Sequence, residues 1–247
     1  MCNNPTRSRW GTPGQVLRRL LPAAYADAIR GVPRGGMLNM ADAEVGNPPV
    51  GESCEPTPAK PLPSPRFISL NFNLERSSLN AAASFLVMQV GQFLDHDITL
   101  TPESNHRFSC CQHSQAECFP FALPAGDSKL GTTNCFHFSR SLEHCARPGA
   151  QRNPLNGNTA FLDLSTVYGS HPSTLSRLRV SQQGLMKITQ DGLLPTAGAG
   201  DGRFVVTPML RAMHTVWLRE HNRIVKELGK RRSDWGNEEL FQVCTQY

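Results

Sequence analysis

The hexapeptide Gln92-Phe93-Leu94-Asp95-His96-Asp97 is the sharpest chemical feature of this chain. Gln92 and His96 stand four residues apart, so on a helix they share a face, while Asp95 and Asp97 project elsewhere. An imidazole between two carboxylates is costly to bury without partners, so the segment reads either as a site or as a solvated helix end. A second cluster, Thr159-Ala160-Phe161-Leu162-Asp163-Leu164-Ser165, sets side-chain oxygens at positions 159, 163 and 165, with backbone carbonyls between them. Such a loop can surround a hard cation once one more carboxylate arrives from elsewhere. Calcium takes about six to eight oxygens in irregular geometry, whereas magnesium is stricter. The competing reading is hydrogen-bonded turn chemistry. A third cluster, Gly200-Asp201-Gly202-Arg203, precedes Met213-His214-Thr215 and Arg219-Glu220-His221-Asn222-Arg223. His214 and His221 fall on one helix face, where they either bind a metal or make structural hydrogen bonds.

These groups need elements to hold them. Ser77 or Ser78 can cap a helix whose stripe of Leu79, Ala83, Leu86, Val90, Phe93 and Leu94 is expected to face the core, delivering Asp95-His96-Asp97 at its end. Thr207-Pro208 opens a long helix with Met209, Met213, Val216, Trp217, Ile224 and Leu228 along one side. Pro172 starts a short helix over 173–179, a further helix begins near Asp234, and Thr12-Pro13 can open one from Gln15 to Ile29. From Gly31 to Pro65, proline and glycine leave little regular structure. Strand signals are scarce, so the fold class is mainly α with long irregular loops and little sheet.

With 247 residues, 39% hydrophobic and 18% charged, the chain is long enough for a core and is not a disordered tail. Its formal charge of +5 is dispersed, the densest basic run being Lys230-Arg231-Arg232, so no nucleic-acid partner is expected. The most apolar stretch, Ala81 to Leu94, is interrupted by polar residues and falls short of the roughly 20 residues that span a bilayer. Cys110, Cys111, Cys118, Cys135 and Cys145 crowd one loop, as in a disulfide-stapled segment of a secreted or lumenal protein, although no apolar leader follows Met1. Zinc held by these cysteines with His113, His137 or His144 is the minor alternative, since the spacings fit no standard zinc pattern.

Taken in order, Cys2-Asn3-Asn4, Trp10-Gly11, Leu62-Pro63-Ser64-Pro65-Arg66, Gly91 through Asp97, Cys135 through Arg140, Val167-Tyr168-Gly169-Ser170, Gly200 through Arg203 and Met213 through Arg223 resemble the animal haem peroxidases, over nearly the whole chain. The resemblance implies that residues 1–247 are a partial catalytic domain with the distal half of that fold. It makes His96 the distal acid–base residue for hydrogen peroxide, Gln92 the residue orienting distal water or a halide, and Arg203 the group stabilising developing charge. Asp95 matches the acid esterified to a b-type haem. Asp97, Thr159, Phe161 through its carbonyl, Asp163 and Ser165 match a calcium site that would fix His96 from behind. The donor would be a halide, thiocyanate, phenol or tyrosine side chain. Val206 stands where the family has a second esterified Glu, and the family's proximal histidine is expected beyond Tyr247. The alternative implied is a catalytically incompetent fragment that still binds calcium or a partner; Cys2 and Cys244 are expected to be free thiols.

Overall fold

The computed structural model describes residues 10–21, 64–72, 82–104, 109–112, 117–127, 129–131, 134–144, 150–195 and 198–245. Contacts divide the chain into two units, one of residues 1–15, 79–100 and 156–247, the other of 16–78 and 101–155. Each described element is helical or a strand of two residues, as the scarcity of strand signals requires.

In the second unit, helix α1 (Pro65–Phe72) buries none of its residues. The sequence reading ends its irregular stretch at Pro65 and misses this helix. Its start is nevertheless local: Pro65 opens the first turn, and the Ser64 hydroxyl accepts from the Phe67 N–H at 3.1 Å. The loop beyond is stapled by Cys110–Cys118 and Cys111–Cys135, around antiparallel strands Phe121–Ala122 and Cys135–Phe136. These pairings overturn the zinc alternative, and His137 Nδ1 accepts from the Cys110 N–H at 2.7 Å. Arg66 grips Asp127 through two bonds of 2.6 and 2.7 Å. Cys2, Cys54, Cys145 and His113 lie outside the described residues.

The first unit holds α2 (Phe85–Ile98), α3 (Ser165–Tyr168), α4 (Pro172–Leu178), a 3-10 turn (Gly202–Val205), α5 (Pro208–Arg231) and α6 (Asn237–Cys244). Helix α5 starts where the sequence says, because extended Thr207 accepts from the Leu210 N–H while Pro208 takes the first turn. It packs on α2, α3, α6 and the 3-10 turn. The core gathers Phe93, Val167, Leu175, Met186, Leu194, Leu210, Leu218 and Phe241.

Two expectations fail here. The predicted helix over 15–29 is absent as far as Leu21: residues 10–21 form turns and the strand Gln15–Val16, with Gly14 at φ +83°. Residues 22–29 lie outside the described part. More informative is α2, which begins after Ser84 rather than Ser77 or Ser78 and, Phe93 apart, turns its apolar stripe outward. Leu86, Val90 and Leu94 are 50%, 36% and 43% exposed, whereas Gln89, Phe93, His96 and Asp97 are buried. Helix α5 repeats the pattern, exposing Met209, Val216 and Trp217 and burying His214, Thr215, His221 and Asn222 beside Leu210, Leu218 and Val225. Periodicity identified the faces; the available hydrogen-bond partners decided which one turned inward.

Candidate functional site

Helix α2 carries Gln92, Asp95, His96 and Asp97 on one turn and a half. Asp95 is exposed and Gln92 half-buried, while His96 and Asp97 are 7% and 1% exposed. Burial lowers the His96 pKa, and the nearby Arg203 charge lowers it further, so the neutral imidazole is favoured. Its Nδ1 is buried without a hydrogen-bond partner among the described residues.

The backbone carbonyls at the end of α2 are where the site is tied together. The Asn158 amide donates to the His96 carbonyl at 2.7 Å and to Asp201 at 3.1 Å. Arg203 Nη2 donates to the His96 and Thr99 carbonyls at 3.0 and 2.7 Å, and Nε and Nη2 both bond Asp201. Cations suit a helix C-terminus, and this one is clamped in place by a carboxylate. Burial pushes the Asp201 carboxyl up, but its bonds from Arg203 outweigh that and hold it below the usual range. The sequence reading gave Arg203 a role toward substrate; one of its three nitrogens, Nη2, also anchors the end of α2. Asp201 and Asn158 were not foreseen. Asp201 was visible as the i, i+2 neighbour of Arg203, whereas Asn158 offered no signal.

Asp201 is set in place by a close backbone crossing. Its N–H donates to the Thr166 carbonyl at 2.9 Å and that of Gly200 to Val167 at 3.0 Å. A Cβ on Gly200 would overlap the Gly169 backbone and the Ser165 carbonyl, so only glycine fits.

The five oxygen-bearing residues predicted as cation ligands converge. Thr159 Oγ1 lies 2.8 Å from Asp163 Oδ1, 3.2 Å from Ser165 Oγ and 3.5 Å from the Phe161 carbonyl. Ser165 Oγ lies 3.1 Å from the Asp97 carbonyl and 3.5 Å from Asp97 Oδ1. The Asp97 carboxylate accepts from the Leu164 and Thr166 N–H groups at 2.9 and 3.0 Å, which holds Leu164 at φ +58°. Burial raises the Asp97 pKa, with repulsion from Asp163 adding to it. Oxygens bound side by side at about 2.4 Å from calcium stand about 2.8–3.5 Å apart, so the spacing and the two buried-side acids fit such an ion. The set relies on hydroxyls and a carbonyl; among the described residues no group of three or more His, Cys, Asp or Glu could hold a metal.

His214 and His221 share the buried face of α5 as expected, but not as a metal pair. His221 Nε2 meets the Gly184 carbonyl at 2.9 Å, and Nδ1 meets Tyr168 Oη at 3.0 Å and Cys244 Sγ at 3.3 Å. His214 is fully buried, stacked edge-on to Phe93 at 5.1 Å, with burial depressing its pKa to about 4. Cys244 is a buried free thiol, pushed up to about 11 by that burial.

The family model described as animal haem peroxidase matches residues 1–246. Among curated proteins, thyroid peroxidase of Sus scrofa is 31% identical over 98% of this chain and 30% of its own length. Lactoperoxidase of Mesocricetus auratus is 33% identical over 98% of this chain and 38% of its own. The chain thus spans about a third of these relatives' length. Among solved structures, peroxidase A of Dictyostelium discoideum aligns over 94% of this chain and 46% of its own, with TM-score 0.55 and 18% identity. Fatty acid alpha-dioxygenase of Arabidopsis thaliana aligns over 74% and 28%, with TM-score 0.58 and 22% identity. Both share the fold.

Proposed function

The chain belongs to the animal haem peroxidase family, and from that premise we propose that residues 1–247 are part of a catalytic domain that carries the distal side of a peroxidase reaction. The observation that supports this best is the packing of α2, which buries a neutral-favoured histidine and a cation-site carboxylate while leaving Asp95 exposed. Exposed Asp95 is the acid that would tether a b-type haem. When bound, the haem supplies the redox chemistry of peroxide reduction. His96 takes a proton from hydrogen peroxide and returns it to the departing oxygen. Gln92 orients the incoming molecule from the same helix face, and Arg203 stabilises charge developing on oxygen. Calcium held by Asp97, Thr159, the Phe161 carbonyl, Asp163 and Ser165 keeps the residue next to His96 fixed. The electron donor is a small anion such as a halide or thiocyanate, or a phenol or tyrosine side chain.

The paired cysteines fit an oxidising compartment, so we place the protein outside the cell or in a secretory lumen. Among the described residues no helix is long and apolar enough to cross a membrane. A second reading, a calcium-binding fragment without turnover, draws on the α5 histidines: both ring nitrogens of His221 are engaged by Gly184, Tyr168 and Cys244, and His214 is fully buried against Phe93, so neither is offered as an axial iron ligand. A haem titration with calcium, followed by guaiacol oxidation on adding peroxide, separates the two. Saturable Soret growth with turnover above free haem supports the peroxidase; saturable binding without turnover supports the fragment, and no binding removes the distal-face assignment.

A further inference from the structure

Gln92 is held by a chain of hydrogen bonds that begins at the cap of another helix. The Leu210 N–H donates to Thr207 Oγ1 at 3.1 Å, which leaves the Thr207 hydroxyl proton to go to Gln89 Oε1 at 3.3 Å. Gln89 is fully buried, and its Nε2 donates to Gln92 Oε1 at 3.2 Å and to Met88 Sδ at 3.1 Å. In this sense the Thr207 proton and the Gln89 amide are both paired. Turning the Gln89 amide over, even with Gln92 turning alongside it, would put the Gln89 oxygen against Met88 Sδ, an acceptor, and would leave the Thr207 hydroxyl proton without its acceptor. The Gln92 oxygen is therefore spent inward, and its Nε2 is the end left for a ligand.

We propose that Thr207 and Gln89 are positioning residues that fix the polarity of Gln92, so that it meets the distal ligand as a hydrogen-bond donor and selects acceptors, anions above all. The proposal deepens the peroxidase reading and rests on it for the ligand, but the relay itself belongs to the chain alone. It couples the N-terminus of α5 to the middle of α2, two elements packed together in the same unit. Had Thr207 no proton to give, the sense of every bond downstream would reverse.

Thr207→Asp is the variant that does this. Aspartate caps a helix as well as threonine and still accepts from the Leu210 N–H, but it can only accept from Gln89, so Gln89 turns and Gln92 presents its oxygen outward. With glutamine side chains labelled by ¹⁵N and no haem present, the wild-type chain should show the Gln89 amide protected from hydrogen exchange and the Gln92 amide open. Thr207→Asp should protect both, because Gln92 Nε2 then donates inward, and Thr207→Ser should keep the wild-type pattern. Unchanged Gln92 exchange in a Thr207→Asp chain that retains its helical signal would overturn the relay. In the haem-loaded protein the same variant should raise the KM for thiocyanate about tenfold, more than it lowers kcat. A changed exchange pattern with unchanged thiocyanate KM would sink the selectivity. A haem-loaded chain inactive in every variant would instead count against the peroxidase reading, with the exchange experiment still deciding the relay.

Discussion

Replacing Asp97 with alanine tests the cation site and the seating of His96 together. In the wild type, the Asp97 carboxylate accepts from the Leu164 and Thr166 N–H groups, and its residue is 1% exposed. Truncation leaves both N–H groups buried and unpaired, at about 1–3 kcal/mol each. One term opposes this: removing the charge ends the cost of burying it and the repulsion from Asp163, the effects that raise the Asp97 pKa. The net loss in chelator should therefore fall near the lower end, about 2–3 kcal/mol. Calcium then widens the gap, since a ligand at a hundred times its Kd stabilises the wild type by about 2.7 kcal/mol and cannot do so without the carboxylate. Urea denaturation followed by the helical circular-dichroism signal, with calcium and with EGTA, measures both quantities. An alanine variant matching the wild type in EGTA would refute the assignment of the two N–H bonds. Equal calcium increments in the two proteins would refute the cation site.

Replacing His96 with alanine should slow peroxide consumption by the haem-loaded protein by about 10²–10⁴-fold, measured by stopped flow. Because the His96 pKa is lowered, the acid limb of the wild-type rate profile should lie below pH 6.5; a limb above that value would count against His96 as the base. His214, with a pKa of about 4, takes up a proton on unfolding between pH 4 and 6.5, so stability should fall by about 3 kcal/mol as pH drops through that window. That slope should vanish in His214→Leu, and its persistence would assign it to other groups. Gly200→Ala forces a methyl into the Gly169 backbone and should cost more than about 3 kcal/mol, read as a loss of helical signal at moderate urea; a normal melting curve would mean that the crossing relaxes.

What could be read from the sequence was what is local. Thr207-Pro208 and Pro172 announced their helices because a cap and a first-turn proline act within four residues. Asp97 and the 159–165 loop were joined only through the family resemblance, and the structure brings them within hydrogen-bond range. The inward face of α2 was not legible. It depends on Asn158, Ser165, Thr166 and Arg203, which lie between 62 and 107 positions away and reward burial of a polar face over an apolar one. The same holds for Arg203, whose partner Asp201 sits two residues off but is aimed by the crossing with residues 166–169. Disulfide pairing was likewise open, because adjacent Cys110 and Cys111 can exchange partners on paper and only the loop's path distinguishes them.

The contact between Cys244 and His221 also gives the protein a built-in clock. Thiolate is the form that reacts with alkylating agents, and a buried thiol with a pKa near 11 supplies almost none of it at neutral pH. Iodoacetamide should therefore reach Cys244 only when α6 lifts away from α5. The labelling rate, followed by mass spectrometry of the peptide that contains it, counts those openings one molecule at a time. Shortening the interval by mutating Tyr168 or His221 would show how much of the hold on the last helix comes from this one hydrogen-bonded trio.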